Sequence, residues 1–293
     1  MPRGRLVEAA TPASYLQKSQ RQRYKEALIR YTTCMVRRKV MRSASAILSV
    51  GTLLLSGCTS SFDKAQTTTL TVFAAASLAE VYGALGKEFE AANPGVDLQF
   101  EFAGSQTLVE QLVNGADADL LATADAITMD RAVDGGVVSG RPIPFAENIL
   151  TIAVEPGNPL DISELVSLTN PDVAVVVCAK GVPCGNATET ATEAAGVILR
   201  PVSEEQKVTD VLGKVSSGQA DAGLVYRTDI ATANGAVEAV DFPEANRAVN
   251  SYFINTVTGT PRSRDAKRFI EFMSTADAQE ILSDAGFQPA EKS

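Results

Sequence analysis

The sequence of 293 residues contains no histidine and no tryptophan, and aromatic residues make up 6% of it. Without histidine, no Ser-His-Asp or Cys-His arrangement can form, so hydrolases that use a histidine base are excluded. Neither of the two serines discussed below lies in a Gly-X-Ser-X-Gly motif, which weakens the case for a serine hydrolase further. A Ser–Lys pair remains open, although no spacing in the sequence indicates one.

Cysteine is also scarce. Cys34 and Cys58 belong to the N-terminal region, which leaves Cys178 and Cys184 as the pair in the remainder of the chain. In an oxidising compartment we expect these two residues to form a disulfide that closes a very small loop, the alternative being two separate thiols. Two cysteines without a histidine fall short of the usual ligand set, so we expect no metal site.

The chain lacks an apolar run long enough for a membrane span, which needs about 20 residues. The main apolar stretch, residues 44–55, follows a basic segment and ends at Leu55-Ser56-Gly57-Cys58, which resembles a bacterial lipobox. We therefore predict that residues 1–57 comprise an N-terminal extension and a lipoprotein signal peptide, and that Cys58 is lipidated. An ordinary buried helix that ends in Gly-Cys is the alternative.

The net charge of the chain changes sign at the same position, between residues 57 and 58. Residues 1–57 contain 11 Lys and Arg against 2 Asp and Glu, whereas residues 58–293 contain 15 against 33. Residues 1–40 are long for the start of a signal peptide, and a start at Met35 or Met41 would give a normal length. An over-extended start and a genuine basic extension both remain open. Residues 58–68 are polar and are predicted to be a flexible tether.

Strand and helix patterns alternate after the tether, which predicts an α/β fold with mostly parallel sheets flanked by helices. The predicted strands are residues 70–75, 97–103, 118–123, 149–154, 173–178, 222–226, 236–241 and 249–257. The predicted helices are residues 78–92, 106–114, 127–135, 161–168, 186–196, 206–217 and 263–285.

Two segments, residues 142–148 and 241–246, are predicted to carry the chain between two lobes. They place residues 69–145 plus 247–293 in lobe 1 and residues 146–246 in lobe 2. Two connections of this kind can act as hinges, and ligands of such proteins bind in the cleft between the lobes.

Two serines in lobe 1 occupy similar positions. Ser77 and Ser105 each follow a predicted strand and precede a predicted helix, so each can be a helix N-cap. A helix start offers free N–H groups and the positive end of the helix dipole, and a serine adds a hydroxyl donor. Two such corners can bind an anion, although serine is also a common N-cap without any ligand.

Lobe 2 offers three comparable positions. The segment Val182-Pro-Cys184-Gly-Asn186 is predicted to be a tight loop that opens a helix, and the backbone N–H at Cys184 or Gly185 would face the cleft. Val208 lies at another helix start. Tyr226 ends a short apolar strand, where its hydroxyl can point into the cleft or be half-buried without a ligand.

From about residue 69 to residue 289 the chain resembles the molybdate-binding proteins of bacterial ABC importers. The resemblance rests on six segments: Val72-Phe-Ala-Ala-Ala-Ser77-Leu, Phe102-Ala-Gly-Ser105, Ala116-Asp-Ala-Asp-Leu, Val182-Pro-Cys-Gly185, Val208 with its helix, and Asp221-Ala-Gly-Leu-Val-Tyr226-Arg-Thr-Asp229. It implies a two-lobed periplasmic-binding-protein fold of type II. It also implies an oxyanion held by Ser77, Ser105, Tyr226 and the backbone N–H groups of Cys184 and Val208. The loop often has alanine where this chain has Cys184.

The resemblance further implies molybdate, with tungstate, as the ligand and an ABC permease with its ATPase as the partners. No Lys or Arg of these motifs is expected to contact the anion, because strand alternation directs Arg227, next to Tyr226, to the opposite face. Neutral donors would therefore hold the anion. We expect no cofactor, no catalysis, no nucleic acid partner and a monomer anchored by lipid on Cys58 to the outer face of the cytoplasmic membrane. The alternatives are the same fold with sulfate, thiosulfate, phosphate or ferric iron, a serine-dependent hydrolase, and a structural lipoprotein without a ligand.

Overall fold

A computed structural model describes residues 67–291 of the chain. The predicted signal peptide, Cys34, the predicted lipidation site Cys58 and most of the predicted tether lie outside these residues. The described strands are β1 (Thr68–Ala75), β2 (Val96–Ala103), β3 (Leu120–Thr123), β4 (Val138–Asn148), β5 (Leu150–Val154), β6 (Val175–Cys178), β7 (Ser203–Glu205), β8 (Ala222–Tyr226), β9 (Glu238–Val240) and β10 (Asn250–Val257). The α-helices are α1 (Ala79–Ala92), α2 (Ser105–Val113), α3 (Ala126–Asp134), α4 (Pro183–Ala195), α5 (Val208–Ser216), α6 (Arg227–Thr232), α7 (Ser263–Phe272) and α8 (Ala276–Asp284).

These strands form two sheets of five strands each, in the orders β2-β1-β3-β10-β4 and β7-β6-β8-β5-β9. In the first sheet β2, β1 and β3 are parallel, and β10 is antiparallel to both of its neighbours. In the second sheet β7, β6 and β8 are parallel, and β5 is antiparallel to β8 and β9. The predicted α/β class is confirmed, with the refinement that both sheets are mixed. We call the first sheet and its helices lobe 1, and the second sheet and its helices lobe 2.

Helices cover both faces of the first sheet. Neighbouring β1 residues alternate in direction, so Val72 packs with Leu85 and Phe89 of α1, whereas Phe73 packs with Leu108 of α2 in a separate apolar cluster. The face of α1 that the sequence spacing predicts is therefore the buried one, and it anchors the β1–α1 corner.

The chain passes between the sheets twice, from Asn148 at the end of β4 to Leu150 in β5, and from Val240 in β9 to Asn250 in β10. Residues 142–148, predicted to be a crossing segment, are the end of β4 and pair with β10. The two prolines of this segment are tolerated because β4 is an edge strand, where a missing N–H donor costs no ladder bond. The predicted lobe boundaries themselves remain a prediction.

Other elements also differ from the sequence-based prediction. The predicted helix 263–285 is two helices, because Thr275 caps α8 by accepting a hydrogen bond from Ala278 N. The predicted helix 161–168 is a short 3-10 helix, Leu165–Thr169. The strand β7 was missed, since its Ser-Glu-Glu sequence has no apolar alternation.

Within residues 67–291, no helix has both the length and the apolar character needed to cross a membrane.

Candidate functional site

A small cavity lies where the two lobes meet, with a volume of about 20 Å³. A buried water occupies about 10–15 Å³ by the same measure, so the cavity suits a ligand of a few atoms and is far too small for a sugar or a peptide. All five residues predicted from the sequence line it: Ser77, Ser105, Cys184, Val208 and Tyr226. The structure thus brings the predicted donors of both lobes together.

Ser77 lies in the 3-10 helix Ala76–Leu78 between β1 and α1. Its half-buried hydroxyl is 2.9 Å from Tyr252 Oη, a residue 175 positions away in sequence. The residue at the N-cap of α1 is Leu78, which makes no side-chain cap bond. The prediction that Ser77 caps this helix is therefore wrong, because its hydroxyl is turned to β10 and the cavity.

Ser105 is the first residue of α2 and is 1% exposed. Gly104, not Ser105, is the N-cap, so this second predicted cap is wrong as well. Ser105 Oγ accepts a hydrogen bond from Ala124 N at 3.1 Å. Since the oxygen already accepts, the hydroxyl proton is available to an acceptor inside the cavity.

Gly104 lies close to the backbone of lobe 2 beside the cavity. A Cβ on this residue would lie 2.3 Å from the Gln206 carbonyl oxygen, and Gln106 Nε2 donates to the same oxygen at 2.9 Å. The sequence reasoning assigned no role to Gly104 and Gln106, although Gly104 is part of the motif quoted for Ser105. Only glycine fits this position without moving one lobe away from the other.

Cys184 lies in the first turn of α4, which begins at Pro183 rather than at the predicted residue 186. The first N–H groups of a helix have no acceptor within the helix, so the N–H of Cys184 is free to meet a ligand. Cys184 forms the predicted disulfide with Cys178, six residues earlier. Gly185 completes the turn, since a Cβ there would lie 2.0 Å from the Ala179 carbonyl oxygen.

Val208 is the first residue of α5 and is 3% exposed, so its N–H also belongs to the unpaired first turn. The preceding residue, Lys207, lines the cavity as well, which the sequence reasoning missed. Its ammonium group is 3.5 Å from Asp210 Oδ1, a pair with both side chains largely exposed. Arg227, expected to point away, pairs with Asp241 and does not line the cavity.

Tyr226 ends β8 and is 1% exposed. Within residues 67–291, its hydroxyl has no hydrogen-bond partner. Burial raises the pKa of this hydroxyl well above 10, and electrostatic interactions with Tyr252, Asp125 and Asp229 raise it further, against a smaller lowering by the Asn250 amide. The group therefore stays protonated at physiological pH. A buried hydroxyl without a partner is costly, so a ligand that accepts its proton would be favoured.

Two buried carboxylates lie beside the site and were not predicted. Asp125 accepts from Thr128 N at 2.9 Å and from Asn186 Nδ2 at 2.9 Å, and the second bond joins the two lobes. Asp229 accepts from Tyr226 N at 2.8 Å. Burial raises the pKa of Asp229 to about 7, partly offset by that bond. The bonds from Thr128 N and Tyr226 N are local contacts at helix starts, whereas the bond from Asn186 to Asp125 depends on tertiary structure. Asp229 is part of a motif quoted above.

Asn250, at the start of β10, links the loops of both lobes around the cavity. Its Nδ2 donates to the Ala124 carbonyl oxygen at 2.8 Å and lies 3.5 Å from the Pro183 carbonyl oxygen. Ala124 and Pro183 both line the cavity.

In the part of the chain that the structure describes, no group of three or more His, Cys, Asp or Glu residues could hold a metal ion.

The chain forms two mixed α/β lobes, crosses between them twice, and places a small donor-lined cavity where they meet. These features define a two-lobed solute-binding protein. The chain belongs to the family of bacterial extracellular solute-binding proteins, whose family model matches residues 70–288. It is 45% identical over 218 residues to a molybdate-binding protein, ModA, of Mycobacterium tuberculosis, a match that covers 74% of this chain and 84% of the relative. The resemblance found in the sequence is confirmed.

Solved structures show the same fold. The sulfate-binding protein SubI from Mycobacterium tuberculosis has a TM-score of 0.69 at 21% identity, over 76% of this chain and 88% of that one. The periplasmic molybdate-binding protein of Azotobacter vinelandii has a TM-score of 0.66 at 20% identity, over 76% of this chain and all of that one.

Proposed function

We propose that this protein captures molybdate, and tungstate with similar affinity, in the cavity between its lobes and delivers it to an ABC importer. The observation that carries the proposal is the convergence of Ser77, Ser105, Cys184, Val208 and Tyr226 on one small cavity. The relative from Mycobacterium tuberculosis, which shares 45% identity and is named for molybdate binding, supports the choice of ligand.

Each of the five residues has a role in this proposal. The hydroxyls of Ser77, Ser105 and Tyr226 donate to the oxyanion, and the N–H groups of Cys184 and Val208 donate from helix starts. The free N–H groups and the dipole of a helix N-terminus suit an anion. We propose no catalytic role for the serines, because their oxygens interact with Tyr252 and the Ala124 N–H rather than with a base.

A cavity of donors explains how selectivity would arise. Molybdate at neutral pH is a fully deprotonated dianion, so all its oxygens accept hydrogen bonds. Phosphate retains a proton at this pH and needs an acceptor, and leaving it unmatched costs about 1–3 kcal/mol. Sulfate makes the same demand on donors as molybdate but is smaller, so cavity size has to exclude it. Tungstate is nearly the size of molybdate and would bind similarly.

The surrounding assignments follow from the same proposal. Residues 69–145 plus 247–293 and residues 146–246 would form the two lobes that close on the ligand. Export with lipid on Cys58 would tether the protein to the outer face of the cytoplasmic membrane, next to the permease and its ATPase. Residues 58–293 carry a net charge of −18, which favours neither nucleic acid nor long-range attraction of a dianion. We propose a monomer.

Isothermal titration of the purified protein against molybdate, tungstate, sulfate and phosphate tests the proposal. We expect tight binding of the first two in a one-to-one ratio and much weaker binding of the others. Equal affinity for all four anions, or no binding of any, would refute it. Tight binding of sulfate without molybdate would assign the same cavity to a different oxyanion.

A further inference from the structure

Within residues 67–291, the hydroxyl of Ser77 has one hydrogen-bond partner, the hydroxyl of Tyr252, and the two oxygens are 2.9 Å apart. Either hydroxyl can donate in such a pair, so the direction of the bond decides what Ser77 can offer a ligand. If Ser77 donates to Tyr252, its proton is used up. If Tyr252 donates to Ser77, the Ser77 proton is free for the cavity.

We propose that Tyr252 is a positioning residue whose hydroxyl donates to Ser77 Oγ and so directs the Ser77 proton to the bound oxyanion. This inference rests on the proposed function. A dianion accepts hydrogen bonds only, so Ser77 can contact it favourably only as a donor, and the bond from Tyr252 then has to run toward Ser77.

The surroundings of Tyr252 support this direction. Its side chain is fully buried and packs edge-on against Tyr226, Phe145 and Phe287, with ring centroids 5.4–6.1 Å apart, so the hydroxyl has a fixed position. Burial raises the pKa of Tyr252, so the proton that it donates stays bound at physiological pH.

Asn148 is held by both ends of its side chain near the same hydroxyl. Its side-chain oxygen accepts from Ile149 N at 3.0 Å, and its amide nitrogen donates to Thr228 Oγ1 of lobe 2 at 2.8 Å. Burial is the main influence on the pKa of Tyr252 and raises it, whereas the side chains of Ser77 and Asn148 lower it. The direction of the bond between Tyr252 and Ser77 therefore follows from the ligand, which can only accept.

Ser105 shows the same arrangement in another form. Its oxygen accepts from the Ala124 backbone N–H, which has no choice of direction. The structure therefore satisfies the oxygens of both serines with donors from the protein and leaves both protons for the ligand. Tyr252 does for Ser77 what a backbone N–H does for Ser105.

Molybdate titration of Tyr252→Phe, with Tyr82→Phe as the matched control, tests this assignment. Tyr82 is also fully buried in lobe 1, and its hydroxyl has no partner within residues 67–291. We expect Tyr252→Phe to raise the Kd roughly three- to tenfold, the effect of one hydrogen bond, and Tyr82→Phe to leave it unchanged. Both variants keep the ring, so melting curves check that both fold.

A double-variant comparison separates positioning from general packing. If Tyr252 acts through Ser77, Tyr252→Phe has no further effect on Kd in a Ser77→Ala background and keeps its effect in a Ser105→Ala background. An unchanged Kd for Tyr252→Phe, or an equal loss in the Ser77→Ala background, overturns the inference alone. A wild-type protein that binds no oxyanion overturns the proposed function and this inference with it.

Discussion

Ser105 Oγ accepts a hydrogen bond from the Ala124 backbone N–H, which leaves the hydroxyl proton for an acceptor in the cavity. We expect Ser105→Ala to weaken molybdate binding by about 1–3 kcal/mol, because it removes a hydrogen bond to a buried charged ligand. The measurement is a titration of the variant beside Ser274→Ala, which alters an exposed serine of lobe 1. If Ser105→Ala binds as well as wild type, Ser105 does not contact the ligand.

Asp229 is the group near the cavity that titrates close to neutral pH. Burial raises the pKa of Asp229 from 3.8 to about 7, so between these values the folded protein holds a proton that the unfolded chain has released. The free energy of unfolding therefore falls as pH rises through this window, and the full penalty is present above pH 7.

We expect Asp229→Asn to remove this dependence, since the amide keeps an acceptor for Tyr226 N and carries no charge. Relative to wild type, the melting temperature of the variant should rise between pH 5 and pH 8. The variant should also bind molybdate with a flatter pH dependence, because an ionised Asp229 repels a dianion. Parallel melting curves for the two proteins across this range would show that Asp229 does not titrate there.

The corner between β2 and α2 sets how closely the lobes can approach. At Gly104, an added Cβ would meet the Gln206 carbonyl oxygen at 2.3 Å, which is backbone and cannot rotate away. We expect Gly104→Ala to raise the molybdate Kd at least tenfold, because the lobes cannot close fully around the ligand. Titration and melting curves of the variant check this, with lobe 1 expected to remain folded.

Gly83→Ala is the control for this change. Gly83 lies within α1, where an added Cβ meets nothing within 4 Å, so the substitution should leave Kd unchanged and stabilise the helix by up to about 1 kcal/mol. If the two glycine variants bind molybdate equally well, close approach at Gly104 is not required for binding.

The elements that sequence predicts well are those whose patterns are local. The face of α1 and the apolar strand β8 follow from spacing alone, and they place Ser77 and Tyr226 correctly at the ends of strands. β4 was missed because its prolines and glycine read as a linker, whereas pairing with β10 makes it a strand. The cap assignments failed because Tyr252 and Ala124 N, distant in sequence, compete for the serine oxygens.

The same distinction applies to the site. The residues that are proposed to contact the ligand belong to short motifs that can be recognised in the sequence. Residues that orient them, such as Asn250 and Tyr252, lie on β10 after the chain has built lobe 2 and returned. Their roles depend on contacts 126 and 175 positions apart, which no local pattern encodes.

At the scale of the whole molecule, side-chain hydrogen bonds link the lobes across the cleft, and two of them are made by Asn186 and Gln106. Asn186 Nδ2 of lobe 2 donates to Asp125 Oδ2 of lobe 1 at 2.9 Å, and Gln106 Nε2 of lobe 1 donates to the Gln206 carbonyl oxygen of lobe 2. Both bonds exist only when the lobes are together. They stabilise the closed form without contacting the ligand in the proposed site.

We expect the double variant Gln106→Ala/Asn186→Ala to release molybdate faster, because the ligand leaves when the lobes open. Each lost bond is worth about 0.5–1.5 kcal/mol, so the dissociation rate should rise roughly 5- to 160-fold, while the association rate changes little. Stopped-flow measurement of both rates is the test. Gln219→Ala/Asn170→Ala, which changes the same residue types at exposed positions of lobe 2, is the control. A double variant that releases molybdate at the wild-type rate would mean that the cavity donors alone hold the lobes closed.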